Sequence, residues 1–321
     1  MSKTTKIPGP EAAFDGDCGV CGREAVLRMV TGLCDKAGVA CADAAAIGWV
    51  SSENSIILIP GARLVARVAR LQFLPRLRRE LLTAALLDEA GIPVAVPAAA
   101  PPSEQLMVIG DQVITWWRYI AGQRTDWPQV ASAIRRLHEI PVPPGATRWL
   151  GRLDPTAKLR RRARIPSALP EADRAAYQRY VADLAERWSA SAMAREPGVL
   201  LHGDAHRDNA IAAAGGVVLL DFEDAAIGPR LYDLRAPFAL QRFGYCTPAE
   251  IEAFLDAYGH PVPGGDTELL ADLKIAEMCG MYVALCADYP HVIEQTRLRI
   301  ASLTDRSLYV EWWTEWHEPE Q

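Results

Sequence analysis

Between residues 23 and 37, apolar side chains recur at Val26, Leu27, Val30 and Leu33, the spacing of one helix face, and Gly38 closes the run. The rhythm then changes. Residues 46–50, 55–59 and 64–69 read as strands, with Pro60-Gly61 as the turn between the last two. A helix is expected over 78–90, stopped by Gly91-Ile92-Pro93. Residues 106–109 and 112–119, joined by Gly110-Asp111, form a hairpin. The first third of the chain is therefore a small sheet with a helix inserted after its third strand, preceded by a loose arm over 1–22 rich in Gly, Pro and Asp.

After Gly122 the pattern becomes helical. Helices are expected over 127–140, 171–192 and 249–258, and most of 267–310 follows the same period. The stretch 152–165 concentrates Arg152, Lys158, Arg160, Arg161, Arg162 and Arg164. It reads as a solvated helix face, the alternative being an anion-binding one. The fold class is α+β, with a sheet-rich N-terminal lobe over 1–118 and a mainly helical C-terminal lobe over 119–321.

Composition narrows the function classes. A chain of 321 residues, half of them hydrophobic, can bury a sizeable core. No apolar run of roughly 18 residues marks a membrane span, and the N-terminus carries no apolar stretch of a signal peptide, so a cytoplasmic protein is expected. A net charge of −6 lacks the basic footprint of a nucleic-acid binder and is compatible with a cationic ligand. The seven cysteines, an odd number, argue against a disulfide framework. Cys18 and Cys21 have metal-knuckle spacing, which Cys34 and Cys41 would complete; free thiols are the plain alternative.

The chemistry is concentrated in residues 198–234, GVLLHGDAHRDNAIAAAGGVVLLDFEDAAIGPRLYDL. Two short apolar runs each end in polar groups, His202-Gly203-Asp204 after the first and Asp221-Phe222-Glu223-Asp224 after the second, with Asn209 between them. A strand, a polar loop and a hairpin would bring Asp204, Asn209 and Asp221 into one pocket. A carboxylate plus an amide oxygen is a donor set for Mg²⁺, and a second carboxylate can accept a hydroxyl proton. The five-residue step from Asp204 to Asn209 matches the base and metal-binding Asn of the kinase catalytic loop. A zinc-protease reading of His202 and His206 needs Glu at 203 on a helix, and Gly203 opposes both.

HGDAHRDN, followed about ten residues later by LLDFEDAAIGPRLYDL, resembles the aminoglycoside phosphotransferase and choline kinase superfamily. The likeness is clear over 198–235 and fainter over 47–140. It implies a protein-kinase-like two-lobe fold and transfer of the γ-phosphoryl group of ATP or GTP to a small-molecule hydroxyl. By that resemblance Asp204 is the catalytic base, His206 supports its loop, Asn209 and Asp221 hold Mg²⁺, and Asp233 braces the catalytic loop rather than touching substrate.

In the N-terminal lobe the same resemblance points to Arg67 as the cation on the nucleotide phosphates and Glu80 as its ion-pair partner. Arg70 is a rival that would face the other side of a regular strand. Ser52 and Asn54 lie in a turn that is either a phosphate cradle or an ordinary hairpin turn. Residues 116–120, with Trp117 and Tyr119, would form the hinge offering backbone groups to the purine. For the acceptor, Glu223, Asp224, Asp288 and Tyr289 suit a cationic compound or a nucleoside or amino-sugar natural product, as would the Trp-rich tail 311–318 unless its tryptophans pack on the core. The expected acceptor is an antibiotic or related natural product; the alternatives are a housekeeping metabolite such as choline, an amino sugar or homoserine, or a non-catalytic binding module.

Overall fold

The computed structural model describes residues 23–50, 54–98 and 105–308. They divide into two compact units, one holding residues up to 85 together with 95–121, the other 86–94 together with the chain from 122 onward. No helix among the described residues is long and apolar enough to cross a membrane.

The first unit contains α1 (Arg23–Lys36), β1 (Ala45–Val50), β2 (Asn54–Ile59), β3 (Leu64–Arg70), most of α2 (Leu74–Glu89), β4 (Leu106–Ile109) and β5 (Gln112–Arg118). The strands form one antiparallel sheet in the order β1-β2-β3-β5-β4. Alternation along β3 decides what each face does. Ala66 and Val68 join Ile57, Ile59, Ile114 and Trp116 on the face that α1 covers with Val26, Val30 and Cys34. Ala69 and Val113 lie on the opposite face with Leu77 of α2. Helix α2 begins four residues before the expected start. Pro75 sits in its first turn, where a missing N–H costs no intrahelical bond.

Cys34 and Cys41 are free, buried thiols; the Cys41 thiol donates to Asp35 Oδ1 at 3.3 Å, and burial with Cys41 nearby raises Cys34 to about 11. Among the described residues no group of three His, Cys, Asp or Glu side chains stands ready for a metal, and Cys18 and Cys21 lie outside them.

The second unit contains β6 (Gln123–Arg124), α3 (Trp127–His138), α4 (Thr147–Leu150), α5 (Ala157–Ala163), α6 (Glu171–Ala190), β7 (Val199–Leu201), β8 (Ala210–Ala213), β9 (Gly216–Leu219), β10 (Ala226–Gly228), α7 (Arg235–Arg242), α8 (Pro248–Tyr258), α9 (Gly264–Leu285) and α10 (Ile293–Ser302). Helix α9 is the core, packed against α5, α6, α7 and α10. The helical run expected over 267–310 is interrupted before Pro290, which disfavours helical geometry in the residue ahead of it, and resumes as α10. Two small sheets carry the loops of interest: β7 pairs with β10, and β6, β8 and β9 form a three-stranded sheet. Gly122 lets β6 dock on β8, since a Cβ there would stand 2.3 Å from Ile211 Cγ2 and 2.6 Å from the Ala212 carbonyl oxygen.

The basic stretch splits rather than forming one solvated face. Arg162 is buried and donates to the Glu277 carbonyl at 3.1 Å, and Lys158 points inward from α5, while Arg160 and Arg164 stay exposed. Helix α3, with Trp127 edge-on to Phe254, packs against α8. Each helix starts in a reciprocal capping box, Asp126 with Gln129 and Thr247 with Glu250. We expect Thr247→Ala to lower the melting free energy by about 1 kcal/mol, measured by thermal denaturation, because the Glu250 amide loses its acceptor.

Candidate active site

Strand β7 runs into His202-Gly203-Asp204, a loop rather than a helix. Gly203 has φ +87°, and a Cβ there would lie 2.0 Å from the Asp224 carbonyl oxygen. Only glycine allows the two loops to touch at this point. Asp233, fully buried, accepts from the amides of His202 (2.7 Å) and Gly203 (2.8 Å). His138 of α3 donates its Nε2–H to the same carboxylate at 3.0 Å, and its Nδ1 meets the Tyr258 hydroxyl at 2.9 Å. Burial by itself would raise the Asp233 pKa, but the His138 hydrogen bond and nearby positive charge outweigh it, and the carboxyl is held below its usual value. His202 is also fixed at both nitrogens: Nε2–H donates to the Leu220 carbonyl at 2.8 Å, and Nδ1 accepts from the Asp204 amide at 3.3 Å.

This frame presents Asp204, and Asn209 is bonded to its loop. Asn209 donates its amide nitrogen to the Asp204 carbonyl at 2.9 Å, which leaves Oδ1 as the acceptor end of that side chain. The Leu220 amide donates to the Asn209 carbonyl at 2.9 Å, so Asp221 follows one residue beyond Asn209's partner. Asp221 has φ +62°, in the left-handed region that a non-glycine residue adopts only where its surroundings impose it. Asn209 and Asp221 thus come from neighbouring segments, the ends of paired strands β8 and β9, and an amide oxygen with a carboxylate is a donor set whose chemistry fits Mg²⁺. His206 accepts the Asp208 amide on Nδ1 at 3.2 Å and turns Nε2 toward Asp204 Oδ2, 3.8 Å away. Burial lowers its pKa more than the Asp204 carboxylate raises it, so the ring is neutral near pH 7.

Four residues that the pattern did not single out complete the cluster. Lys274 of α9 donates to Asp204 Oδ1 at 2.6 Å and to Glu277 Oε2 at 3.3 Å. Arg235 of α7 donates to the Gly203 carbonyl at 2.6 Å and to Glu277 Oε2 at 2.9 Å. Lys158 bridges Asp224 Oδ2 (2.5 Å) and Glu277 Oε1 (3.0 Å). Burial would raise the pKa of Asp204 and of Glu277, yet the surrounding cations, Lys274 first, hold both carboxyls well below the usual range. An isolated charge inside a helix carries no sequence signal of such a role, so Lys274, Glu277 and Arg235 were not legible. Lys158 was visible only as one member of a basic run.

In the first unit, Arg67 leaves the α1 face of β3 and donates to Glu80 Oε2 of α2 at 2.8 Å, both side chains buried. Arg70 shares the strand parity of Ala66 and Val68. Trp117 is buried with its indole N–H on Thr115 Oγ1 at 3.0 Å, and Tyr119 is exposed. The expected hinge is largely occupied by its own unit. Trp116 donates to Gln105 and accepts from Ala98, the Arg118 amide goes to Val96, and the Tyr119 amide goes to Arg63. Those amides already donate within the unit; the segment 96–98 lies along this end of β5, a pairing without local sequence signal. Ser52 and the side chain of Asn54 lie outside the described residues, as does the tail 311–318.

The four acceptor-site residues do not converge. Asp224 sits in the cluster paired to Lys158, and half-buried Glu223 precedes it. Asp288 and Tyr289 follow the end of α9, about 16 Å along its axis from Lys274. Tyr289 is buried with its ring edge-on to His291 at 5.8 Å.

A loop braced by a buried carboxylate, presenting a second carboxylate with Asn209 bonded to its backbone, within an α+β chain carrying a five-stranded antiparallel sheet, has the features of a phosphotransferase of kinase-like fold. Residues 44–270 match the phosphotransferase enzyme family (APH), and the chain belongs to that family. No curated protein sequence matches it significantly. Among solved structures it is similar to the amicoumacin kinase hAmiN in complex with AMP-PNP, Ca²⁺ and Ami (14% identity, 86% of this chain and 93% of that one, TM-score 0.65). It is also similar to the spectinomycin phosphotransferase APH(9)-Ia with ADP and spectinomycin (17%, 91% and 94%, TM-score 0.61). A third is the choline kinase LicA from Streptococcus pneumoniae (17%, 86% and 99%, TM-score 0.59).

Proposed function

We propose that the chain transfers the γ-phosphoryl group of ATP or GTP to a hydroxyl of a small molecule, with Asp204 as the base and Asn209 and Asp221 as the Mg²⁺ ligands. The observation that supports this reading is the Asp204–Asn209–Leu220 hydrogen-bond chain, which ties the braced Asp204 loop through Asn209 to the segment that carries Asp221. Asp204 orients the acceptor hydroxyl and takes its proton as the new O–P bond forms and the bond from the γ-phosphorus to the β–γ bridging oxygen breaks, the nucleoside diphosphate leaving with that electron pair. Neutral His206 lines its far oxygen. Asn209 and Asp221 would hold Mg²⁺, which would supply positive charge against the nucleotide phosphates. Arg67, held straight by Glu80, serves the nucleotide phosphates as a fixed cation.

An antibiotic or related natural product is the acceptor class favoured by the similar antibiotic kinases. The likeness to a choline kinase supports the second reading, a small-metabolite kinase. The test is mass spectrometry of both compound classes after incubation with the protein, Mg²⁺ and ATP or GTP. A phosphoryl mass gain that disappears with chelation supports the reading, and absence of any nucleotide turnover overturns it. Asp221→Asn keeps a residue type that tolerates positive φ while removing the charge. We expect it to raise the Mg²⁺ concentration for half-maximal turnover by about tenfold or more in a metal titration.

A further inference from the structure

The five lysines of this chain stand against 34 basic residues in all, and two of them, Lys158 and Lys274, are in the active-site cluster. Glu277 and Arg235 form its buried floor, and Arg162 adds a further cation beneath through the Glu277 carbonyl. The ends that solvent reaches are Asp204 (26% exposed), Lys158 (21%), Asp224 (20%) and Lys274 (13%). Three carboxylates thus meet three cations in direct contact, with Arg162 adjacent. In this cluster the two carboxylates that solvent reaches, Asp204 and Asp224, each already have an ammonium group of the protein on them.

Such a patch discriminates by charge. An acceptor hydroxyl that takes Asp204 Oδ1 competes with the Lys274 ammonium now seated there at 2.6 Å. Lys274 then keeps only Glu277 among its present partners and has N–H donors to satisfy in a partly buried site. Lys158, raised above the usual lysine range because Glu277 and Asp224 outweigh its burial, stays charged beside it. An amine-bearing acceptor brings a like charge toward two fixed ammonium groups. A carboxylate or phosphate on the acceptor gives both of them a partner.

We propose that the acceptor of this enzyme carries an anionic group, a carboxylate or a phosphate ester, near the hydroxyl that is phosphorylated, and that Lys158 and Lys274 bind it. The proposal rests on the phosphotransferase reading and replaces the cationic acceptor expected from Glu223, Asp224, Asp288 and Tyr289. The experiment uses the full chain with Mg²⁺ and ATP, and matched acceptors on one hydroxylated carbon skeleton that end in a carboxylate, a phosphate, a carboxamide or an amine. Phosphorylation of each acceptor and its competition against ATP hydrolysis into water are both read. The anionic members are expected to exceed the amine by about tenfold or more in kcat/KM or in competition, and Lys158→Glu to reverse that order. If Lys158→Glu fails to fold, the wild-type ranking alone decides. Equal or better use of the amine, or no anionic compound acting in either assay, overturns the proposal when hydrolysis or transfer is still lost in Asp204→Asn. No nucleotide turnover dependent on Asp204 at all overturns the phosphotransferase reading itself, and this proposal with it.

Discussion

Asp204→Asn is expected to lower the turnover number by about 10²–10⁴ while leaving the KM for the nucleotide nearly unchanged. The substitution conserves shape, so the Asn209 contact, made to the Asp204 backbone carbonyl, survives. What disappears is the proton acceptor and the charge facing Lys274, which retains Glu277 Oε2 at 3.3 Å and so is not stranded. Unfolding curves should therefore stay close to wild type. Steady-state nucleotide turnover at saturating Mg²⁺ is the measurement, and a variant within about threefold of wild type would show that the barrier does not depend on this base.

Asp233→Ala is expected to have the largest effect on stability, about 3–5 kcal/mol, read from the denaturant midpoint of the unit that contains it. Its carboxylate is the common acceptor for two loop amides and His138, all buried, and alanine leaves each of those donors without it. Activity should fall together with stability, because the same two amides set the position of Asp204. The pH dependence has a definite sign. The folded carboxyl titrates below its unfolded value, so its contribution is full above the usual carboxylate range and is lost as pH falls through the folded value. Wild-type stability should therefore decline more steeply than that of Asp233→Ala as pH falls below the usual carboxylate range, the remaining decline coming from other lowered carboxyls such as Asp204 and Glu277. If the two proteins lose stability in parallel, the brace is not the origin of that decline.

The positions of Asp204, Asn209 and Asp221 were readable because they sit at the ends of short apolar runs, where the strand period stops and a polar cluster begins. Arg67 stood out as a charge inside an apolar strand, and Glu80, in the next helix, came from the family resemblance. Local pattern failed where function depends on a helix face chosen by packing. Lys274 and Glu277 are three residues apart in a long helix, a spacing that equally describes a solvent-facing ion pair. Asp288 and Tyr289, an acid beside an aromatic, follow the end of that helix.

Local chemistry alone determined the strands and most helices, the braced loop and the oxygen donors on it, since turn residues, side-chain period and motif spacing act over a few positions of chain. The tertiary structure decided the ion-pair cluster around Asp204. Lys158, Asp204, Arg235 and Glu277 come from separate segments, and an ion pair between segments is settled only when packing removes both partners from water and each must find the other.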